Sequence, residues 1–378
     1  MAKRIALPVL FAGLLIGCAQ PQRHSLETVG RYDRGRARGV VRTDYLGWDN
    51  CYTITNGQAE VVIVPAIGRA ASFRFHQGEN VFLFYEKHGG RLRDELSQYT
   101  NFGGLYTWLA PQVHWSKTED QQRCRVGMAT PFDGLDSEVV AIDHYSVTIA
   151  RRDSGTYGLT MEKTYTLDPV KPQLTYRVRV FNDNPVPVRW SVWNLIAPRP
   201  EGKVVVEAPN GWDDFHFLFR TEDSAQEFRP YVGFVDGLAV MNFDAMDLKE
   251  RKAFIHPAGR YVAHAMRDVW LLRTFLPPAP GMLFTDNDSQ IEIWADTPFF
   301  EIETLSPEVL IYPGSEYEWQ EVLTLHPTGR TPFPSSPWKL RKVIEEILPK
   351  EPFIPEPPAA TQPAKPKRKS KGDVAGTI

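Results

Sequence analysis

Apolar and polar positions alternate with a period of two through most of the chain. Leu159, Met161, Lys163, Tyr165 and Leu167 alternate with Thr160, Glu162, Thr164 and Thr166. Leu174, Tyr176, Val178 and Val180 alternate with Thr175, Arg177 and Arg179, and Tyr317, Trp319, Leu323 and Leu325 continue the pattern. Successive strand residues point to opposite faces, so this period predicts strands with one buried face. Shorter β-rich runs are 59–64, 71–75, 81–85, 146–150, 204–207, 269–275, 291–295 and 299–304. Turn-forming sequences separate them: Asn56-Gly57, Asn182-Asp183-Asn184-Pro185, Asn210-Gly211 and Pro313-Gly314. Many strands at short spacing over residues 44–330, with no long amphipathic helix among them, predict one large all-β antiparallel sandwich.

Both ends break the pattern. Lys3 and Arg4 precede an uncharged apolar run of twelve residues, Ile5–Ile16. A spanning helix needs about 20 apolar residues, so this run has the length of a signal-peptide core. It closes in Leu15-Ile16-Gly17-Cys18, which resembles the lipobox of bacterial lipoproteins. The resemblance implies cleavage before Cys18, lipidation of Cys18, and, because Ala19 rather than Asp follows, anchoring at the outer membrane facing the periplasm. Residues 19–43 are polar and Arg-rich, the composition of a flexible spacer. After Pro337, apolar residues recur at helical spacing over 338–348, with Ser335 or Ser336 placed to cap. The segment 331–348 is therefore expected to hold a short C-terminal helix. Residues 349–378 are rich in Pro, Lys and Ala and are expected to be a disordered tail, available to an envelope partner.

Charge narrows the field. Lys plus Arg number 43 against 46 Asp plus Glu, a net charge of −3, without the basic stripe of a nucleic-acid-binding protein. Apart from Cys18, the cysteines are Cys51 and Cys124, which suit either a disulfide or two buried thiols. No His-Glu-x-x-His pair, phosphate-binding Gly-rich loop or Gly-x-Ser-x-Gly elbow is present, so neither a metal nor another cofactor is expected.

Four segments carry a family resemblance: Gly47–Tyr52; Ile67-Gly68-Arg69 with Phe73-Arg74-Phe75; Asn101–Gln112; and Phe300–Pro307 followed by Tyr312-Pro313-Gly314. Together they resemble a bacterial family carrying a domain of unknown function, placed among the galactose-mutarotase-like proteins. Leu174–Leu195 is similar to the wider superfamily. The resemblance implies a β-supersandwich with a concave sugar-binding face. In aldose epimerases of that superfamily a Glu acts as base on the anomeric hydroxyl and a His as acid on the ring oxygen. Glu303 stands where the Glu is expected, and Glu301 is its neighbour on the same strand face. A carboxylate in a Phe- and Ile-rich strand is costly unless paired or functional. The family's His has no counterpart in Arg189–Leu195; His114 and His264 are the substitutes at hand.

The remaining candidates follow from residue chemistry. Arg69 could fork onto sugar hydroxyls or pair with an acid. Tyr106 and Trp108 flank the Gly103-Gly104 turn and offer ring faces to a sugar. Gln112 and His114 follow Pro111 and would alternate with Val113. Trp193 and Asn194 complete the set. The central expectation is a carbohydrate-binding or carbohydrate-processing envelope lipoprotein, with binding in the concave cleft as its core and processing left open. The alternatives are an aldose 1-epimerase-like enzyme, with Glu303 as base and His114 as acid, and a non-catalytic envelope scaffold.

Overall fold

The computed structural model describes residues 38–350, except 93–99, 116–130, 218–227, 247–250, 257–258, 278, 297–298, 330–332 and 335. Cys18, Cys124, the N-terminal leader and the tail from residue 351 lie outside the described residues. Cys51 is a buried free thiol, pushed up to about 12 by burial.

Two antiparallel sheets make up the body. The first runs β1 (Gly39–Tyr45), β2 (Trp48–Thr55), β3 (Ala59–Val64), β4 (Arg69–Phe75), β5 (Gly104–Ala110), β10 (Val188–Ala197), β19 (Phe299–Leu305), β18 (Ile291–Asp296), β15 (Arg251–Ile255) and β12 (Phe215–Phe217). An eleventh strand, β20 (Val309–Ile311), pairs with the start of β10. The second, ten-stranded sheet runs β13 (Val232–Val235), β14 (Leu238–Asn242), β11 (Lys203–Glu207), β16 (Tyr261–Ala265), β17 (Val269–Thr274), β21 (Glu316–Pro327), β9 (Gln173–Asn182), β8 (Leu159–Leu167), β7 (Ser146–Asp153) and β6 (Glu138–Asp143). β1 begins at Gly39, inside the segment whose composition suggests a spacer.

β9 shows the predicted pattern in full, half-buried and buried residues alternating over its ten positions. β5 and β10 do not alternate. All seven residues of β5 are buried, as are the last eight of β10, so the centre of the eleven-stranded sheet is covered on both faces. Between the sheets lies the main core, including Tyr165, Tyr176, Val178, Ile196, Phe300 and Leu323.

Polar bonds also cross this interlayer. Thr107 Oγ1 lies 2.6 Å from the Tyr176 hydroxyl, and Thr304 Oγ1 donates to Glu321 Oε1 at 2.6 Å. Arg273 of β17 donates to the carbonyls of Ile302 and Asn194, each at 3.0 Å, while paired with Glu321 at 2.6 Å. Helix α1 (Pro337–Ile347) packs on the outer face of the ten-stranded sheet, where Leu340 and Ile344 meet Val205, Ala263, Trp270 and Leu272. Ser336 is its N-cap residue, and its carbonyl accepts from the Lys339 and Leu340 amides.

Candidate functional site

Strand register assembles the site. Leu195 on β10 stands opposite Tyr106 on β5 and Glu303 on β19; Glu303 stands opposite Glu292 on β18, and Glu292 opposite Phe254 on β15. One step along, Glu301 faces Trp294, and Trp294 faces Lys252. One step the other way, Trp193 pairs with Trp108. Residues directly opposite in a ladder share a face. The intervening positions Thr107 and Thr304 bond to Tyr176 and Glu321 of the ten-stranded sheet, so this set lies on the outer face of the eleven-stranded sheet.

Lys252 is the centre of the cluster. Its Nζ lies 2.6 Å from Glu292 Oε2 and 2.8 Å from Glu303 Oε2. The ammonium also sits 4.5 Å from the Trp193 ring centroid and 5.5 Å from that of Phe254. Trp193 Nε1 donates to the same Glu303 oxygen at 2.7 Å. Glu303 is 1% exposed and Glu292 fully buried, so each of these charges depends on its partners. Burial opposes the ammonium on Lys252, but the two carboxylates outweigh it and hold the group above its ordinary range. Burial pushes Glu292 well above the usual carboxylate range.

Glu301 differs. Its Oε1 accepts from the Tyr106 hydroxyl. Burial, then the neighbouring Glu303, push its carboxyl up to about 8, against the opposing pull of Tyr106, Lys252 and Arg69. Behind Tyr106, the Arg69 guanidinium lies 3.7 Å from the ring centroid. Arg69 forks onto both Asp133 oxygens at 2.6 Å and donates to the Gly103 carbonyl at 2.8 Å. Trp108 Nε1 donates to Asp133 Oδ2 at 2.8 Å. Burial would raise the Asp133 carboxyl, but Arg69 more than reverses this and holds it below the ordinary range. The Trp108 and Trp193 rings meet edge to face, 5.3 Å apart.

Two local features hold the frame. Gly103 and Gly104 have φ of 76° and 82°. A Cβ on either would come within 2.1 Å of the Leu83 carbonyl or 2.4 Å of the Ala70 carbonyl, so only glycine lets β5 lie this close to its neighbours. Beyond the cluster, Asp286, Asn287 and Asp288 all take positive φ, 52°, 63° and 57°. Three consecutive left-handed residues are costly outside glycine. Burial raises the Asp286 carboxyl, and the charges of Lys252 and Glu303 act on it, which sets this turn at the edge of the cluster.

The structure thus brings Tyr106, Trp108, Trp193, Glu301 and Glu303 together, with Arg69 behind Tyr106. Arg69 commits its fork to Asp133 and is placed to support rather than to grip a ligand. Asn194 does not join them. Next to Trp193 on a strand, it points to the opposite face, where its Oδ1 accepts from Thr107 Oγ1 at 2.6 Å. Gln112 and His114 do not alternate with Val113, because Gln112–His114 forms a 3₁₀ turn after Pro111. Gln112 is exposed, and the His114 ring packs edge-on against Trp190, 5.4 Å away. His264 is buried between the sheets against Phe300, with Nε2 2.7 Å from the Glu201 carbonyl; burial pushes it down to about 4. Neither histidine contacts the carboxylates of the cluster in the described residues.

Sequence reading missed Lys252, Glu292 and Asp133. The available signal was a charge within an apolar run, as in Ile291-Glu292-Ile293-Trp294. A surface cavity of about 640 Å³, lined by Lys203, Asp244, Arg267, Trp270 and Phe333 among others, shares no residue with the cluster.

Residues 51–326 match the family described as "Domain of unknown function (DUF4380)". The chain belongs to the DUF4380 family. A search of curated proteins finds no match. Solved structures give the fold of this DUF4380 protein. A galactose mutarotase-like protein from Lactobacillus casei ATCC 334 superposes with a TM-score of 0.51 at 12% identity, covering 73% of this chain and 100% of that one. A galactose mutarotase-like protein from Clostridium acetobutylicum gives 0.51 at 11% identity, covering 76% and 98%. At such identities the likeness is one of fold. The DUF4380 domain is a galactose mutarotase-like β-supersandwich, as the sequence resemblance implies.

Proposed function

We propose that this protein binds carbohydrate on the outer face of its eleven-stranded sheet, at the Glu301–Glu303–Lys252 cluster, while tethered to the outer membrane through a lipid on Cys18. The observation that carries the reading is the cluster itself. A sheet face covered only for stability is cheapest when apolar, since each buried ion costs several kcal/mol, roughly, before its partners repay it. Here three carboxyl groups, an ammonium and a phenol are gathered beside Trp193, which meets Trp108 edge to face. Sugars present donors, acceptors and C–H faces together, and fixed polar groups within an aromatic frame suit that mixture. The galactose mutarotase-like fold supports the carbohydrate reading, and the Leu-Ile-Gly-Cys sequence supports the anchor.

Titration of the purified protein with a saccharide panel, followed by calorimetry and tryptophan fluorescence, tests the binding. The expected result is saturable binding that perturbs the fluorescence and weakens at least tenfold in Glu303→Ala. No binding of any saccharide at millimolar concentration overturns the reading. In cells, Cys18→Ser is expected to move the protein from the membrane to the soluble fraction; retention in the membrane fraction would refute the anchor.

A further inference from the structure

We infer that the ligand of this site is an amino sugar, held through its protonated amine by the carboxyl groups around Glu301. This rests on the carbohydrate reading above and adds the ligand class to it. Strand parity places the groups. Alternate residues of a strand share a face. Glu292, Trp294 and Asp296 of β18, with Phe299, Glu301 and Glu303 of β19, therefore lie together on the outer face of the eleven-stranded sheet. Each of these positions is acidic or aromatic. β15 adds Lys252, opposite Trp294. The turn at 285–288 adds Asp286, on which the charges of Lys252 and Glu303 act. Tyr85, Asp286, Trp294 and Asp296 are half-buried, and Glu301 is 6% exposed against 1% for Glu303, so a ligand meets these groups first.

Acceptors outnumber donors in this cluster. Among the described residues Lys252 is the one ammonium in contact with its carboxyls, and it serves both Glu292 and Glu303. Arg69 gives its fork to Asp133, and the Lys87 ammonium lies 5.2 Å from the Tyr85 ring centroid. Glu303 Oε2 accepts from Lys252 and Trp193, and Glu301 Oε1 from the Tyr106 hydroxyl. Glu292 is fully buried, and its Oε1 has no hydrogen-bond partner among the described residues. A buried oxygen left unmatched beside a shared ammonium is costly, and a further donor relieves it. A sugar hydroxyl brings an acceptor along with its donor. An ammonium brings three donors, positive charge and no acceptor. The half-buried rings of Tyr85 and Trp294 suit the C–H face of a sugar and its cation together. A uronate would set like charge against Glu303 and its neighbours.

Proton movement accompanies the amine. Glu301 faces Glu303 on its own strand, Lys252 on β15, Tyr106 on β5, Arg69 on β4, and Tyr85, whose phenol is raised by burial and then by the charges of Glu301 and Asp296. With its carboxyl pushed up to about 8 by burial and then by Glu303, Glu301 carries a proton at neutral pH. A cation seated beside it favours the carboxylate, so binding expels that proton.

Calorimetry on the full chain tests this at about pH 6.5, where the ligand amine is protonated and Glu301 is too. The probes are D-glucosamine and D-galactosamine, each beside its parent sugar, its N-acetyl derivative and its uronate. An amino sugar is expected to bind at least about tenfold more tightly than its three counterparts. Buffers of different ionisation enthalpy are expected to show a proton released on binding, and Glu301→Gln to abolish that release. Asp286→Asn is the milder variant, since Asn tolerates the positive φ of this turn. It is expected to weaken the amino sugar about threefold more than the parent sugar. If a neutral or anionic sugar binds as tightly as the amino sugars, or if an amino sugar binds without releasing a proton, this inference fails while the binding reading stands. If none of the saccharides binds, the binding reading fails and the inference with it.

Discussion

Glu301 carries a consequence for stability that needs no ligand. Its carboxyl is pushed from an ordinary 4.5 to about 8 by burial and by Glu303. The folded protein therefore holds a proton that the unfolded chain releases. The stability tied to this proton is fully present below pH 4.5 and is lost as pH rises through about 8. His264 works in the opposite sense. Pushed down to about 4 by burial, it stabilises the neutral fold above pH 6.5 and loses that contribution as pH falls through about 4. Comparison with a Glu301→Gln variant separates the two. Urea denaturation between pH 5 and 8.5 is expected to show wild type losing stability relative to the variant, by on the order of a few kcal/mol. Parallel curves would show that Glu301 ionises normally.

At the level of elements, the period-two pattern identifies β8, β9 and β21 because each has one half-exposed face. The same rule settles Trp193 against Asn194: neighbours on a strand cannot share a face, and the indole is the one on the outer side. The turn at Gln112–His114 was not legible, since Pro111 restricts Ala110 and itself but leaves the backbone of residues 112–114 free to turn or extend. The C-terminal helix was legible from spacing alone, and its packing yields a prediction. Leu340 and Ile344, four apart on one helix face, are 2% and 1% exposed against the ten-stranded sheet. Leu340→Ala removes one of the two fully buried anchors among the described residues of the helix, at an expected cost of about 2–5 kcal/mol. Hydrogen exchange is expected to show amides of 340–348 opening first, ahead of β16 and β17 beneath. Unchanged protection over 340–348 would mean that the helix is held by other contacts.

For the whole molecule, the long-range partners were the illegible part. Glu301, Glu303, Tyr106 and Trp193 announce themselves as polar or aromatic groups in apolar strands. Lys252, Glu292 and Asp133 become meaningful only once β15, β18 and the 131–137 loop are folded against them, and pairing across such separations leaves no local pattern. Arg273 is the same case between the layers. It is 1% exposed, pairs with the fully buried Glu321 of its own sheet, and donates to two carbonyls of the opposite sheet. The Asn194 and Ile302 carbonyls it holds belong to β10 and β19, the strands that carry Trp193 and Glu303. Arg273 is thus a clamp running from one layer to the back of the site in the other. Arg273→Met would leave the Glu321 charge buried with hydroxyl and indole donors only, at an expected cost of about 3–5 kcal/mol. Adding Glu321→Gln removes that stranded charge, so the double variant is expected to be more stable than Arg273→Met alone, with a coupling of about 1–3 kcal/mol in a double-mutant cycle. Urea denaturation of the four proteins measures it. Additive losses would show that the ion pair contributes no coupling, leaving the two carbonyl bonds as what joins the layers behind the site.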